Sequence, residues 1–367
     1  MSNSNTPYRF LFAAGGTGGH LYPAIAVADE IKKMKPESEI LFVGTKDKIE
    51  GRVIPKLGYK FQSIRIRGFA RKFSWANLLF PLRLLYSLIQ SVIISMKFKP
   101  KVAVGTGGYV AGPVIWGASV MGAKIILMES NSYPGITTRL LERYADEIHL
   151  SFESSKKYLR RQNILKVTGN PVRENLGTSD KSSAKKYFGL DENKKTVLVL
   201  GGSLGASSIN NAIEKSLNTF TENNLQLIWQ TGKNYFGRYK NLNFAAVKIF
   251  DFIDDMNKAY SACDLLVARA GATTIAELTV LGLPAILIPS PNVAENHQYH
   301  NAKALEDENA AVLIKDDEIE SKLQKTVLTL INDSNKLNML SSNAKKLAKP
   351  DAAKEIALSA IKYAQMI

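Results

Sequence analysis

Three times along this chain, a short apolar strand pattern leads into a glycine-rich turn and then into a helical pattern. The three turns are Gly15-Gly16-Thr17-Gly18-Gly19-His20, Gly105-Thr106-Gly107-Gly108 and Gly201-Gly202-Ser203-Leu204-Gly205-Ala206. Each follows a run of apolar residues, at positions 8–14, 102–104 and 197–200. Strand, turn and helix in this order are typical of parallel α/β sheets with right-handed crossovers. Because the third unit opens the second half of the chain, the pattern predicts two doubly wound α/β domains in tandem.

The length and the remaining strand patterns agree with two domains. The chain has 367 residues, too many for one ordinary core. Further strand patterns, most of them followed by helical patterns, occupy residues 40–43, 125–128, 225–230, 265–268 and 285–288. A turn-forming stretch at 169–172 follows a strand-like segment at 166–168, so we predict domains of residues 1–170 and 171–349. A last helix over 351–366 has an apolar face that must dock on one of them.

Composition and cysteine content indicate a folded protein of a reducing compartment. Apolar residues make up 45% of the chain and charged residues 22%, as in globular proteins. The single cysteine, Cys263, cannot form an intramolecular disulfide or supply the thiolates of a structural zinc site. The first eight residues lack the basic and apolar segments of a secretory signal, so we expect a cytoplasmic protein.

Positive charge is concentrated in the first half of the chain. The formal net charge is +15, of which +14 falls in residues 1–170. Such an excess points to nucleic acid, an anionic membrane surface or a phosphorylated ligand. A nucleic-acid-binding protein would bind random DNA or RNA in a salt-sensitive manner. The basic residues are not interleaved with aromatic residues as base stacking requires, which disfavours that alternative.

The glycine turns are suited to bind a diphosphate. In the turn at 15–20, the missing Cβ atoms let backbone N–H groups approach an anion, and the following helix directs its positive end to the same place. The simpler alternative is that the glycines only permit a tight turn and close packing. A dinucleotide is disfavoured, because neither the strand at 40–43 nor the strand at 225–230 ends in the acid that would accept ribose hydroxyls.

The segment Arg269-Ala270-Gly271-Ala272-Thr273-Thr274-Ile275-Ala276-Glu277 has the pattern of a nucleotide site. It places a small-residue turn and two threonines at a helix start, where phosphate oxygens can bind the N-terminal amides. Glu277 follows inside the helix, where its carboxylate can accept hydrogen bonds from sugar hydroxyls. The alternative for Glu277 is an acid that only stabilises the N-terminal part of a helix through the macrodipole.

Together these segments resemble the MurG family, the N-acetylglucosaminyltransferases of bacterial peptidoglycan synthesis. The resemblance runs almost end to end and rests on the order and spacing of its motifs. They are Gly15 to His20 with Pro23 to Ala28, Gly105 to Pro113, Gly169-Asn170-Pro171-Val172-Arg173, Gly201 to Ala206, Arg269 to Glu277, and Glu295-Asn296-His297-Gln298.

The resemblance implies the GT-B architecture, in which two doubly wound Rossmann-like domains face a cleft. It also implies that the C-terminal helix, residues 350–367, returns to the first domain. The first domain would bind the acceptor and the membrane, and the second would bind UDP-GlcNAc. By motif, the UDP-GlcNAc-binding residues are Thr17, Gly18, Gly19, Asn131, Arg173, Ser203, Ile253, Ala272, Thr273, Thr274, Ile275, Ala276, Glu277 and Gln298. Arg173 and Ser203 would lie near the diphosphate, and Ile253 beside the uracil.

The reaction implied by the resemblance inverts the anomeric carbon of GlcNAc. The C4 hydroxyl of MurNAc in undecaprenyl-pyrophosphoryl-MurNAc-pentapeptide (lipid I) attacks, and UDP leaves to give lipid II. His20 is our candidate base, because imidazole exchanges protons near neutral pH; the alternative is a histidine that braces the loop. Glu129 is a second candidate for the proton or for positioning the acceptor, and Gly107, Gly108 and Tyr109 are candidate acceptor contacts. The alternative for Glu129 and for Tyr109 is a side chain that simply supports the loop. The chain has no Asp-x-Asp triplet, so we expect no essential metal, and we expect no organic cofactor.

Residues 75–96 carry apolar side chains at helical spacing beside many basic residues. Polar residues interrupt the run, so it has too few apolar residues in sequence to span a bilayer. We therefore predict that it lies on the membrane surface. The predicted membrane contacts are Trp75, Leu79, Leu82, Arg83 and Leu85. Apolar spacing alone would favour a core helix, but the positive charge of this domain favours attraction to anionic headgroups.

The family's setting implies a peripheral protein on the cytoplasmic face of the bacterial inner membrane. Its work in cell-wall biogenesis implies a role in cell shape, cell division and the cell cycle, with cell-wall or division proteins as partners. A rival enzyme interpretation is another GT-B transferase that uses a UDP-sugar and a glycolipid acceptor. Only the family match of the loop at 105–113 argues against it.

Overall fold

The computed structural model describes residues 7–66, 80–172, 176–202 and 204–366. The chain divides into two compact units. The first unit comprises Met1–Val172 with Lys349–Ile367, and the second comprises Arg173–Ala348.

The first unit is a parallel sheet covered by helices. Its strands within the described residues are β1 (Arg9–Ala13), β2 (Glu39–Gly44), β3 (Lys60–Ser63), β4 (Val102–Gly105), β5 (Lys124–Glu129), β6 (Glu147–Leu150) and β7 (Leu165–Val167). The sheet order is β3-β2-β1-β4-β5-β6-β7. The helices are α1 (Gly18–Met34), α2 (Ile49–Lys56), α3 (Phe80–Phe98), α4 (Gly108–Val120) and α5 (Ile136–Leu141).

The second unit repeats this architecture. Its strands within the described residues are β8 (Lys195–Leu200), β9 (Leu225–Gln230), β10 (Val247–Phe250), β11 (Leu265–Ala268), β12 (Ala285–Leu287) and β13 (Val312–Leu313). The order is β10-β9-β8-β11-β12-β13, again with parallel pairs. The helices are α6 (Lys181–Tyr187), α7 (Ser207–Glu222), α8 (Phe236–Tyr239), α9 (Met256–Ala262), α10 (Ala272–Leu281), α11 (His297–Asp307), α12 (Ile319–Asn332) and α13 (Ser334–Lys346). The last helix, α14 (Ala352–Gln365), belongs to the first unit.

The central strands are apolar because helices cover both faces of each sheet. On one face of the first sheet, Phe10 and Phe12 of β1 pack in a core shared with α1 and α14. Leu11 and Ala13, which point to the other face, pack in a core shared with α4. The strand order reverses between β1 and β4 and between β8 and β11. Ligands of doubly wound sheets bind at the carboxyl ends of the strands at such a reversal, so each unit has one expected ligand edge.

The predicted fold class, two doubly wound parallel α/β units, is confirmed. The strand patterns identified in the sequence all form strands, but β3, β6, β10 and β13 were missed. Strand β6 contains Glu147 and His149, which an apolar pattern cannot find. Strands β3, β10 and β13 lie at sheet edges, where fewer positions are buried and the apolar signal is weak.

The C-terminal helix α14 is held to the first unit by apolar packing and by a buried polar cluster. Ile356, Ala360 and Ala364 are buried in the core with α1. Beside them, Glu147 on β6 contacts His149 Nε2 at 2.7 Å and Lys166 Nζ at 2.8 Å. Lys166 also donates to Ser359 Oγ on α14 at 3.3 Å. Burial raises the pKa of Glu147, but hydrogen bonds from His149, Lys166 and Ser359 outweigh it and lower the pKa from 4.5 to about 2.

We expect this cluster to give the protein acid-sensitive stability. A carboxylate with a lowered pKa stabilises the folded state above its ordinary pKa, and this stabilisation is lost as the pH falls toward 2. Glu147→Gln should therefore lower the free energy of unfolding at pH 7 by roughly 1–3 kcal/mol and flatten its decline between pH 5 and pH 2. Urea unfolding at both ends of this range tests the expectation. The control is Glu355→Gln, an exposed acid on α14; an equally steep decline for Glu147→Gln and the wild type would contradict it.

Candidate active site

The first and second glycine turns lie side by side at the ligand edge of the first unit. They follow the neighbouring strands β1 and β4, and Thr106 N donates to Ala13 O at 3.2 Å. A Cβ atom on Gly108 would lie 3.1 Å from Gly15 O, which leaves little room for any side chain there. Gly107 and Gly108 have φ values of +92° and +75°, which favour glycine. The two turns therefore fit each other only because both are glycine-rich.

The side chains of His20 and Tyr109 each lie against the opposite glycine turn. The His20 ring lies on the second turn, where a Cβ on Gly107 would be 3.1 Å from His20 Cε1. Tyr109 lies on the first turn, where a Cβ on Gly16 would be 3.2 Å from Tyr109 Cε1. Both side chains are half-buried. The candidate base and a candidate acceptor contact thus lie on the same pair of loops.

The backbone N–H of Gly16, in the first turn, already has a hydrogen-bond partner within the protein. Gly16 N donates to Glu50 Oε2 at 3.1 Å, so the predicted anion site does not extend to this amide. Thr17, Gly18 and Gly19 lie at the start of α1, with Thr17 as its N-cap. The first amides of a helix have no partner within the helix, so this end of the turn keeps the anion-binding character predicted from the sequence.

Glu129 organises the loop that follows β5. Its Oε1 accepts from Asn131 N at 3.0 Å, and its Oε2 accepts from Gly135 N at 3.0 Å and Thr138 Oγ1 at 2.6 Å. Burial raises the pKa of Glu129, and the hydrogen bonds from Thr138, Asn131 and Gly135 oppose that rise. A carboxylate that accepts hydrogen bonds on both oxygens is suited to hold a loop in place. Of the roles considered for Glu129, this geometry favours support of the loop.

The loop after β5 also contacts the second glycine turn. Thr137 Oγ1 donates to Gly108 O at 3.1 Å. Asn131, which is half-buried, lies in this loop, and its carbonyl oxygen accepts from Ser155 Oγ at 2.9 Å. The first unit therefore gathers His20, the two glycine turns, Tyr109 and the Glu129–Asn131 segment at the carboxyl ends of β1, β4 and β5.

In the second unit, the turns after β8 and β11 adjoin at the ligand edge. Arg269 N donates to Leu200 O at 3.3 Å. In the turn at 201–206, Gly205 approaches Gly232 so closely that a Cβ on Gly232 would lie 2.1 Å from Gly205 N. Gln230 at the end of β9 donates to Gly202 O at 3.3 Å and accepts from Ile253 N at 2.9 Å. This glutamine brings the predicted uracil contact, Ile253, to the glycine turn.

Glu277 is buried within α10, with 3% of its surface exposed. Tyr260 of α9 donates to Glu277 Oε2 at 2.7 Å. The residues Ala272, Thr273, Thr274, Ile275 and Ala276 form the first turn and a half of the same helix, after the N-cap Gly271. The predicted phosphate-binding amides and the predicted ribose acceptor therefore share one short helix.

Arg269 braces this helix start and does not point a free guanidinium at a ligand. It donates to the carbonyl oxygens of Ile288 and Pro289 at 3.2 Å, to Ser208 Oγ at 2.9 Å and to Asp316. Gln298, on α11, accepts from Ser290 N at 2.9 Å, which fixes it beside the loop after β12. Arg173 and Ser203, the two predicted diphosphate contacts, lie outside the described residues.

Helix α3 has an exposed face of apolar side chains, and its buried face carries serines together with Ile94. Leu82 is 66% exposed and Leu85 56% exposed. The remaining large apolar residues on this exposed face are Tyr86, Ile89, Ile93 and Met96. On the opposite face, the buried Ser87, Ser91 and Ser95 allow close approach to α4, where a Cβ on Gly117 would lie 2.8 Å from Ser91 Cβ. The apolar side chains of the exposed face are therefore not core residues of this unit.

A groove of about 850 Å³ lies between α3 and the ends of β2 and β3. Its lining combines the cationic Lys46, Arg65 and Arg83 with apolar side chains that include Leu82 and Ile64.

Of the predicted membrane contacts, Leu82, Arg83 and Leu85 are described, whereas Trp75 and Leu79 lie outside the described residues. Along the described parts of the chain, no helix is both long and apolar enough to cross a bilayer. Those same parts contain no cluster of three or more His, Cys, Asp or Glu side chains suited to hold a metal ion.

Comparison with known proteins identifies the family. Residues 10–150 match the N-terminal domain of glycosyltransferase family 28, and residues 196–356 match its C-terminal domain. The chain is 44% identical over 361 residues to the UDP-N-acetylglucosamine--N-acetylmuramyl-(pentapeptide) pyrophosphoryl-undecaprenol N-acetylglucosamine transferase of Flavobacterium psychrophilum, covering 98% of each chain. The chain belongs to the MurG family. The equally named protein of Bacteroides thetaiotaomicron is 43% identical, with 97% of this chain and 98% of the relative covered.

A solved structure gives the same family. The MurG of Acinetobacter baumannii superposes with a TM-score of 0.76 and 26% identity, covering 97% of this chain and all of that chain. The resemblance to the MurG family stated from the motifs is thereby confirmed.

Sequence reasoning missed the residues that hold the MurG-type motifs in place. Glu50, Gln230 and Tyr260 contact the first glycine turn, the third glycine turn and Glu277, respectively. All three are distant in sequence from the motifs they contact, so no local pattern marks them. Gly15 and Gly44 leave room for the Glu50 side chain, but only the structure shows which side chain fills that space.

Proposed function

We propose that this chain transfers N-acetylglucosamine from UDP-GlcNAc to the C4 hydroxyl of MurNAc in undecaprenyl-pyrophosphoryl-MurNAc-pentapeptide. The observation that carries the proposal is 43–44% identity over nearly the full chain to relatives named for this transfer. The enzyme is accordingly a hexosyltransferase that uses a nucleotide sugar. Peptidoglycan synthesis is the process in which it acts.

The second unit supplies the donor site in this proposal. The diphosphate of UDP binds the first amides of α10 and the glycine turn at 201–206, with Arg173 and Ser203 as further contacts. Glu277 accepts from the ribose hydroxyls, Ile253 lies beside the uracil, and Gln298 contacts the sugar. Support comes from the carboxyl edge of the sheet, where Gln230 joins Ile253 to the glycine turn and Arg269 joins the two turns.

In this proposal the first unit supplies the acceptor site and the base that takes the proton. His20 takes the proton from the C4 hydroxyl as that oxygen attacks the anomeric carbon, so the product is the inverted, β-linked sugar. Gly107, Gly108 and Tyr109 contact the acceptor, and Glu129 positions the loop that carries Asn131. Thr17, Gly18 and Gly19 contact the donor in this proposal. Fixed amide donors aimed at the departing diphosphate contribute several kcal/mol in a water-excluded site.

Isothermal calorimetry with UDP tests the donor site directly. The wild-type chain should release heat on binding UDP at a stoichiometry of about one, because the proposal has one nucleotide site, at the carboxyl edge of the second sheet. ADP is the control, since the uracil contact at Ile253 discriminates against a purine. A folded preparation that binds UDP and ADP equally, or binds neither, would contradict the assignment.

The exposed face of α3 supports a peripheral membrane contact, which the proposed function assigns to the cytoplasmic side of the inner membrane. Its leucines are turned away from the core of the unit, and the groove beside it carries Lys46, Arg65 and Arg83. An acceptor with a lipid tail requires an enzyme that works at the bilayer surface. Apolar side chains flanked by cations bind such a surface through burial in the interface and attraction to anionic headgroups.

Polar replacement of this face should weaken vesicle binding. Leu82→Gln combined with Leu85→Gln removes apolar area from the interface, so partition onto phosphatidylglycerol-containing vesicles should fall roughly tenfold or more. Arg83→Gln should reduce it about fivefold, and only at low salt. The control is Leu358→Gln, a half-exposed leucine on α14. Vesicle sedimentation measures the partition, and equal retention of the double variant and the control would contradict this surface.

A further inference from the structure

Glu50 forms a buried link beneath the first glycine turn. It lies in the first turn of α2 and is fully buried. Its Oε2 accepts from Gly16 N at 3.1 Å, and its Oε1 accepts from Thr45 N at 2.9 Å and from Thr45 Oγ1 at 2.6 Å. Within the described residues, no lysine or arginine forms an ion pair with this carboxylate. The side chain is therefore held by one hydrogen bond from the turn and by two from Thr45, the residue that follows β2.

Two glycines make room for this carboxylate. A Cβ on Gly15 would lie 2.5 Å from Glu50 Oε1, and a Cβ on Gly44 would lie 2.5 Å from Glu50 Cγ. Real side chains do not approach so closely, so any residue with a Cβ at either position would displace Glu50. The glycine at position 15 therefore makes room for the contact with Glu50.

On the side away from Glu50, the first glycine turn contacts the second turn and the two residues proposed to act on the acceptor, His20 and Tyr109. The Gly15 carbonyl lies under the second glycine turn at Gly108, and the His20 ring lies on Gly107. The Tyr109 ring lies on Gly16, the residue whose amide Glu50 holds. A shift of the first turn would therefore move the surface against which His20 and Tyr109 are set. Hydrogen bonds to a charged acceptor are the strongest means of preventing such a shift.

We propose that Glu50 is a positioning residue for the transfer reaction, holding the first glycine turn in the conformation that sets His20 and Tyr109 toward the acceptor hydroxyl. The proposal rests on the transferase function proposed above. Because the Gly16 N–H donates to Glu50, it is not available to bind a phosphate group. The anionic groups of either substrate would then bind the amides at the start of α1 or the second unit.

Glu50→Gln tests the proposal, since it places an amide NH₂ against backbone N–H donors while preserving shape. We expect kcat to fall at least about tenfold, because displacement of a reacting group by a fraction of an ångström is costly. The Kd for UDP should stay within about twofold, because the proposed contacts with the uridine and the diphosphate lie in the second unit. Glu142→Gln is the matched control. Glu142 is also buried in the first unit and accepts from Arg160 N and Arg161 N at 2.6 Å, away from the glycine turns.

The control separates positioning from general destabilisation. Both glutamine variants should lower Tm, but at a temperature well below both transitions only Glu50→Gln should lose turnover. Equal kcat for Glu50→Gln and the wild type, or equal losses in the two variants, would overturn the proposal. A wild-type chain that forms no lipid-linked disaccharide would instead contradict the proposed function, so the two failures are distinguishable.

Thr45 provides a second test if Glu50→Gln does not fold. Thr45→Val removes the hydroxyl that donates to Glu50 Oε1 at nearly constant volume, and Thr45→Ser retains it. We expect kcat to fall roughly three- to tenfold in Thr45→Val and to return close to the wild-type value in Thr45→Ser. Full activity of Thr45→Val, or failure of serine to restore activity, would count against the link.

Discussion

Glu277→Gln should weaken the binding of UDP by roughly 10- to 100-fold, because a hydrogen bond to a charged acceptor is worth about 1.5–3 kcal/mol. The substitution keeps the shape of the side chain and leaves an oxygen that can accept from Tyr260, so the fold of α10 should survive. Calorimetry with UDP measures the effect. Turnover at saturating UDP-GlcNAc should fall less than kcat/KM, because the proposed ribose contact would be present in both the ground state and the transition state.

The competing explanation for Glu277 is stabilisation of the helix through the macrodipole. Glu320→Gln is the matched control, because Glu320 is an exposed acid in the first turn of α12 in the same unit. A dipole role predicts that both variants lose a little thermal stability and that both bind UDP like the wild type. Unchanged UDP affinity in Glu277→Gln would therefore remove the carboxylate from the donor site.

His20→Ala should lower kcat by roughly 100- to 10,000-fold, which is the usual contribution of a positioned general base. UDP affinity should remain within about twofold, because the proposed nucleotide contacts lie in the second unit. The steady-state rate of GlcNAc transfer, measured from pH 5 to pH 9, is the appropriate readout. If His20 is the base, the acidic limb of the wild-type profile should disappear in the residual activity of the variant.

The alternative for His20 is a loop brace, since its ring lies on Gly107. His20→Asn keeps a polar side chain at this position and would restore much of the rate if bracing were the whole role. His300→Ala, an exposed histidine on α11, controls for loss of imidazole elsewhere. Turnover of His20→Ala equal to that of His300→Ala would assign His20 to structure alone.

The parts of the fold that were predictable are those in which one short segment carries the whole signal. A buried parallel strand is apolar on both faces, and its glycine turn and helix start follow at once in the sequence, so β1, β4 and β8 were identified with their turns. Strand β6 was not, because Glu147 and His149 are buried by pairing with Lys166 and α14. Such compensation depends on residues far along the chain.

The candidate site divides in the same way. Its glycine turns and the helix start at Ala272 are local motifs, and the resemblance to the MurG family could be stated from them. Glu50 and Gln230 could not be found so, because an acidic or amide side chain acquires a role only when the fold brings a backbone amide to it. The inward serines of α3 are another example. A helical wheel shows an apolar face, but only packing against Gly117 shows which face is covered.

The most direct test of the account is transfer of labelled GlcNAc from UDP-GlcNAc to purified undecaprenyl-pyrophosphoryl-MurNAc-pentapeptide by the full chain, with UDP-GalNAc as the competing donor. We predict a β-linked, lipid-bound disaccharide from UDP-GlcNAc and little or none from UDP-GalNAc. Absence of product from a folded preparation that binds UDP, or equal transfer from the two donors, would contradict the account.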